Sequence, residues 1–277
     1  MFKKMKQNCA LLKCDDFGIS PGVNQAFMDI IDRRPCVNAG IMSNMDFALP
    51  AIDYAKTNPE AKIWLHFNLT LGKPLSKDVA RITAADGSFL GINAFFKYYF
   101  SGRIKPAAII KEYHAQIRYL LDHNISIVGV DSHHHVHFLP GIFREIADSL
   151  DYYGIKHFRV SKSGFREIGK TSLRERIKTA GLNYFIRTNK ICQKSLVDCI
   201  IQAGEGFGLD RFESFLKQFS FGGFKNCEVI FHPGYPGDEY LNKIDSLTYQ
   251  RKNDLDILLS DSFFDLLKKY EFLFDCP

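Results

Sequence analysis

Val130-Asp131-Ser132-His133-His134-His135-Val136-His137 places four of the chain's nine histidines within five positions, behind an aspartate and at the end of the apolar run Ile125 to Val130. Packing gives no reason for such a density. Imidazole is the commonest metal ligand and the side chain that titrates nearest neutral pH. The stretch therefore reads as a strand delivering a metal centre or proton-transfer site into the loop beyond it. A solvated loop or a low-complexity histidine tract is the bland alternative, and the rest of the chain decides between them. If the extended conformation persists, His133, His135 and His137 face one side and His134 the other. They need not all be ligands, and Asp131 with the spare histidines suits the task of fixing a ligand's tautomer and ring orientation.

The same punctuation recurs along the chain. Cys9 to Cys14 is an apolar run ending in Asp15-Asp16-Phe17-Gly18, and Ser20-Pro21 then supplies a helix N-cap and a proline for the first turn. Capping explains at most one of the two carboxylates. Val37 to Met42 reads as a second strand, Phe47 to Lys56 as a helix, and Lys62 to Leu69 as a third strand with His66 near its end. Residues 73 to 105 lack strong periodicity and carry the aromatic clusters Phe95-Phe96 and Tyr98-Tyr99-Phe100, as an inserted lid would. A helix follows from Pro106 to about His123-Asn124, and Pro140 opens another after the histidine cluster. Lys156 to Val160 reads as a strand, 170 to 190 as a basic helix with a solvated face, and Ser195 to Ile201 as an apolar run. Glu228 to Phe231 is again a strand, closed by His232-Pro233-Gly234-Tyr235, and the tail from Leu247 to Phe274 holds two helical segments and a short last strand. Gly204, Gly206 and Gly208 do not open a βαβ unit in the position a dinucleotide fingerprint requires.

At 277 residues, 46% of them hydrophobic, the chain suffices for one large α/β domain spanning 1–277. Its net charge of +5 comes from basic and acidic residues that are interleaved, so no stripe tracks a nucleic acid. Seven cysteines are odd in number, scattered and never spaced as Cys-x-x-Cys, which suits reduced thiols in the cytoplasm. The start, Met1 to Lys6, has the basic character of a signal peptide, but Lys13 and Asp15-Asp16 interrupt the apolar run behind it. No run approaches the ~18 apolar residues of a membrane span.

Asp15-Asp16, His66, the cluster from His133 to His137, and His232 thus each stand where an apolar strand gives way to a loop. In a closed or nearly closed barrel of parallel strands those ends meet on one face. Together they hold what metal-assisted hydrolysis needs: a carboxylate and two imidazoles as ligands, with a carboxylate and an imidazole to spare.

Four motifs carry a resemblance over most of the chain: Cys14-Asp15-Asp16-Phe17-Gly18-Ile19-Ser20-Pro21-Gly22, Leu65-His66-Phe67-Asn68-Leu69-Thr70-Leu71-Gly72-Lys73-Pro74-Leu75, Val130 to Pro140, and Phe231-His232-Pro233-Gly234-Tyr235. In this order they resemble the YdjC-like carbohydrate deacetylase family, which includes chitooligosaccharide deacetylases and is distantly similar to NodB-type polysaccharide deacetylases. The resemblance implies an α/β fold, a distorted (β/α) barrel of mainly parallel strands, here with the aromatic-rich helical lid at about 73–105. It implies one divalent metal, magnesium or zinc foremost and manganese or cobalt as alternatives, on Asp16, His66 and His133. Asp15 matches the family's general base, His232 its general acid, and Arg159 an arginine near the substrate. Asp131, His135 and His137 would support the ligands. Cys14 stands where alanine is more usual, and the tail after Tyr235 carries no recognised motif. The implied reaction is removal of an N-acetyl group from an amino sugar, by a protein for which a homodimer is the base-rate expectation. Two rivals are an amidohydrolase or phosphohydrolase barrel, prompted by His135-Val136-His137, and a sugar-binding protein without turnover.

Overall fold

A computed structural model describes residues 8–77, 79, 81–162, 164–167, 173–188, 196–203, 206–221, 225–245 and 247–274. The first half runs β1 (Asn8–Phe17), α1 (Pro21–Arg33), β2 (Asn38–Ile41), α2 (Ala48–Thr57), β3 (Ile63–Phe67), α3 (Ile92–Phe100), α4 (Pro106–Asp122) and β4 (Ile127–Ser132). A 3-10 turn (His133–Phe138) and α5 (Phe143–Ser149) follow, then β5 (His157–Phe158), β6 (Val160–Ser161), β7 (Phe165–Glu167), α6 (Leu173–Thr188), β8 (Leu196–Val197) and β9 (Cys199–Gln202). The chain closes with α7 (Leu209–Phe221), β10 (Asn226–Phe231), α8 (Leu241–Ile244), α9 (Thr248–Leu259), α10 (Asp261–Lys269) and β11 (Phe272–Leu273).

The strands form a distorted (β/α) barrel. The main sheet has the order β5-β4-β3-β2-β1-β10-β9-β7 with β11 beside the start of β1, and a second, two-stranded sheet joins β6 to β8. All these ladders are parallel. Arg159 alone separates β5 from β6, and Asp198 alone separates β8 from β9. The wall thus turns from β4 through β5 and β6 onto β8 and β9, and back to β10. Strands covered on both faces read as continuous apolar runs, which is why they were visible in the sequence.

Local chemistry sets the joints. Ser20 caps α1 by accepting from the Val23 amide at 3.3 Å, with Pro21 in the first turn. Trp64, fully buried on β3, sits between Gly40 of β2 and Gly129 of β4 in the ladder. A Cβ at Gly129 would fall 2.6 Å from the indole, so a side chain there is excluded. The loop after β3 is held by buried polar groups on α4: Gln116 exchanges hydrogen bonds with the Asn68 backbone at 3.1 and 2.7 Å, and Glu112 accepts from the Leu75 and Ser76 amides at 3.0 and 2.8 Å. That loop leads into the 73–105 segment, where Phe95 is fully buried and the Tyr99 hydroxyl donates to the Pro140 carbonyl. Phe100 points outward, 59% exposed.

Two expectations are corrected. The histidine cluster does not continue the strand: His134 and His135 take φ of 54° and 55° and the chain coils into the 3-10 turn, so facing does not alternate. Reduced thiols hold for Cys14, Cys36, Cys199 and Cys227, whereas Cys9 is disulfide-bonded. Ser195, Gly204 and parts of the basic stretch at 170 to 190 lie outside the described residues.

Candidate metal centre and active site

β1 would ordinarily send Asp15 and Asp16 to opposite faces. The ladder with β2 instead shifts register between Cys14 and Phe17, and Asp16 takes a φ of 80°. This irregularity buries both carboxylates, 1% and 0% exposed, on the same interior. A non-glycine residue held in that region is strained, and such strain gathers at functional sites.

Register across β3 and β4 builds the next pair, because His66 lies opposite Asp131. Its Nδ1 donates to Asp131 Oδ1 at 2.8 Å, which aims Nε2 at Asp16 Oδ1, 3.3 Å away. His133, first residue of the 3-10 turn, brings Nδ1 to 2.9 Å from the same Asp16 oxygen. Ligand atoms of Asp16, His66 and His133 therefore lie within 4.8 Å of one another. The set could hold a metal ion. One carboxylate and two imidazoles suit a divalent cation of mixed N/O preference, and a ligand histidine whose other nitrogen is held by a carboxylate is the usual support. Burial would lower the His66 imidazole, but Asp15 and Asp131 raise it to about 9, so a cation is favoured there even without a metal. Asp16 is kept ionised against the pull of burial by His133 and Arg251.

Beneath this lies a buried charge layer. Arg159, fully buried at the break between β5 and β6, reaches Asp15 with both terminal nitrogens at 2.7 and 2.9 Å, Asp131 at 2.6 Å and Glu228 at 2.6 Å. Lys13 lies 2.9 Å from Asp15 and 3.0 Å from Asp131. Burial alone would raise the Asp15 carboxyl, yet Arg159, Lys13 and His66 hold it well below the usual range. Arg159, expected beside the substrate, is thus placed on three acids and out of solvent contact.

His232 follows β10, partly exposed, with its amide donating to Asp254 Oδ2 at 2.8 Å and its Nδ1 without a hydrogen-bond partner among the described residues. Burial pushes its imidazole down to about 4, against the upward pull of Asp16 and Asp15. His137 is also neutral, pushed down to about 3 by burial and Arg159, and its Nε2 donates to the Arg159 carbonyl at 3.1 Å. It steadies the arginine's backbone and touches none of the three candidate ligands. His135 packs against Phe165 at a ring distance of 4.6 Å, and His134 pairs with the Thr70 hydroxyl at 2.8 Å.

Sequence reasoning missed Arg251 and Asp254. Arg251 donates to Asp16 Oδ2 at 2.6 Å and so holds the candidate ligand's outer oxygen. Both residues share the buried stripe of α9 with Leu255 and Leu258, at i, i+3, i+4 and i+7. Charged residues on an apolar stripe were the available signal. Burial pushes Asp254 from 3.8 up to about 7. Between those values the folded protein holds a proton that the unfolded chain has lost, so this group's contribution falls as pH rises and is lowest above about 7. Asp254→Asn keeps an acceptor for the His232 amide and is expected to raise stability by up to about 4 kcal/mol at pH 8, with a much smaller gain at pH 4. Urea unfolding at both pH values checks this, and an equal gain at both would contradict it.

A sequence model of the YdjC-like proteins matches residues 10–269. The chain belongs to the YdjC-like family. Among relatives of the chain, a carbohydrate deacetylase of Clostridium beijerinckii is 25% identical over 250 residues, covering 90% of each chain. One of Geobacillus stearothermophilus is 28% identical over 250 residues, covering 90% of this chain and 88% of its own. The fold is shared with a crystal structure from Enterococcus faecalis V583, described as that of a cellobiose-phosphate cleavage protein, at a TM-score of 0.74, 18% identity and 96% coverage of both chains. Among the described residues no helix is long and apolar enough to cross a membrane.

Proposed function

We propose that this protein is a metal-dependent hydrolase that removes an N-acetyl group from an amino-sugar-containing carbohydrate of the chitooligosaccharide kind. The observation that carries the reading is the Asp16, His66 and His133 set with a second, ionised carboxylate, Asp15, buried beside it. The carbohydrate deacetylases among its relatives support the reaction class. A divalent ion on those three residues, magnesium or zinc with manganese and cobalt as alternatives, supplies when bound a Lewis acid for the acetyl carbonyl and a more acidic water. Asp15 takes the proton of the attacking water. Its ion pairs keep it charged and fix its direction, at some cost in basicity. His232 protonates the departing amine, without which an amide nitrogen leaves very poorly. Its imidazole is neutral at rest, so the proton it hands to the amine is the one Asp15 has taken from the water, passed on within the turnover, and the Asp16 and Asp15 charges favour the protonated imidazole. Arg159 acts through Asp15 and Asp131, and the aromatic faces of 92–100 serve as a rim for the sugar.

Acetate release from N,N'-diacetylchitobiose and a panel of N-acetylated sugars, with and without chelator, tests the reading. Chelator-sensitive acetate is the expected result. Phosphate release from a sugar phosphate, or tight glycan binding with no acetate over hours, would replace it with one of its rivals.

A further inference from the structure

The two candidate ligands that lie on strands are out of reach of solvent, Asp16 at 0% and His66 at 2% exposure, whereas the His133 side chain is 13% exposed. Lys13 and Arg159 fill the interior side, so a substrate group reaches this set past His133. The next residue, His134, leans on that imidazole with ring centres 3.9 Å apart and is itself partly exposed. Its backbone is held at a φ of 54°, which costs energy for any residue with a side chain and is a conformation that gathers at binding and catalytic sites.

Polar groups of the loop after β3 hold the ring in place. Asn68 is fully buried and its amide has one orientation: Nδ2 donates to Asn44 Oδ1 at 3.0 Å and to the Leu71 carbonyl at 2.7 Å, while Oδ1 accepts from the Thr70 and Leu71 amides at 3.0 and 3.2 Å. That oxygen can only accept, so the Thr70 hydroxyl, 3.3 Å away, gives it its one proton. The hydroxyl oxygen in turn accepts from His134 Nδ1 at 2.8 Å. In a neutral imidazole protonated at Nδ1, the lone pair is on Nε2. The nitrogen across the ring from Thr70 is therefore an acceptor, and it stands next to the solvent-facing ligand.

We propose that His134 is a substrate-binding residue whose Nε2 accepts a hydrogen bond from a hydroxyl of the sugar that bears the acetyl group. The inference rests on the proposed function. It gives the first histidine of the cluster to the metal and the second to the sugar. Selectivity comes from the relay: an imidazole of unfixed tautomer could donate as readily as accept, whereas this one is set to receive a donor.

Three proteins are compared on N,N'-diacetylchitobiose and its monodeoxy derivatives in saturating Mn2+, with bound metal counted: wild type, His134→Phe, which keeps a ring against His133, and Thr70→Val, which keeps the shape of threonine without its hydroxyl. His134→Phe is expected to raise KM about 5–10-fold, the effect of one lost hydrogen bond, with kcat and metal content close to wild type. One monodeoxy derivative is expected to lose a similar factor on wild type and nothing further on His134→Phe, because each change removes the same bond. Thr70→Val is expected to raise KM in the same direction. An unchanged KM in His134→Phe overturns the proposal, as do deoxy losses that simply add to the variant's own. A fall in activity that follows loss of metal also overturns it, since His134 would then be a prop for His133. Should His134→Phe fail to fold, Thr70→Val carries the same comparison. NMR of the labelled imidazole nitrogens in wild type decides the tautomer independently of turnover: a protonated Nδ1 at His134 is expected, and a protonated Nε2 refutes the assignment. Wild type that releases no acetate sinks the proposed function and this inference together, an outcome distinct from acetate release with an unchanged KM in His134→Phe.

Discussion

Asp15→Asn is expected to lower turnover by about 10²–10⁴-fold, the range for losing a general base, while the variant still takes up its metal. Asparagine has the shape of aspartate and keeps Oδ1 as acceptor for Arg159 Nη2 and Lys13, while its amide nitrogen faces Arg159 Nη1, so some stability is lost with the base. What it loses is the ability to accept a proton. His66→Ala is expected to lose metal and turnover together, because it removes the imidazole that register places opposite Asp131 and beside Asp16. Metal content by elemental analysis and acetate release, measured on both variants, form the comparison. Equal metal loss in the two would make Asp15 a ligand and leave the water without its base.

Arg159→Leu is expected to cost about 3–5 kcal/mol of stability, the penalty for leaving buried partners uncompensated, and to lower the melting temperature by roughly 10 °C. The guanidinium contacts Asp15, Asp131 and Glu228, all at 1% exposure or less, and no solvent reaches the three acids to replace it. Burial already pushes the Glu228 carboxyl up, so that acid gives way first by taking a proton. Thermal and urea unfolding measure the loss. If the arginine served by touching the sugar, stability would hold within ~1 kcal/mol and KM would rise instead.

The strand ends were readable because a strand covered on both faces is an apolar run, and a polar residue where it stops stands out against it. Asp15, Asp16, His66, His133 and His232 were singled out as candidates in that way. His134 and His135 were misjudged because a run of histidines carries no mark of where a strand ends and a left-handed turn begins. Arg159 was visible as a site residue, but its partners come from β1, β4 and β10, which nothing local in the sequence joins. Arg251 and Asp254 were passed over because their helix lies beyond the last motif, and their meaning comes from the face they share with Leu255 and Leu258.

The sequence by itself determined the order of strands and helices, the family, and the residue types gathered at the strand ends, since these follow from hydrophobic period and from motifs read along the chain. Only the tertiary structure decided which charges meet. Register opposes Asp131 to His66, the bulge at Asp16 turns two neighbouring carboxylates inward, and burial strips both of water, so their charge states depend on cations delivered from distant strands and a terminal helix. Coulomb interactions strengthen as water is excluded, and proximity in the folded barrel, which the order of residues does not record, sets their size.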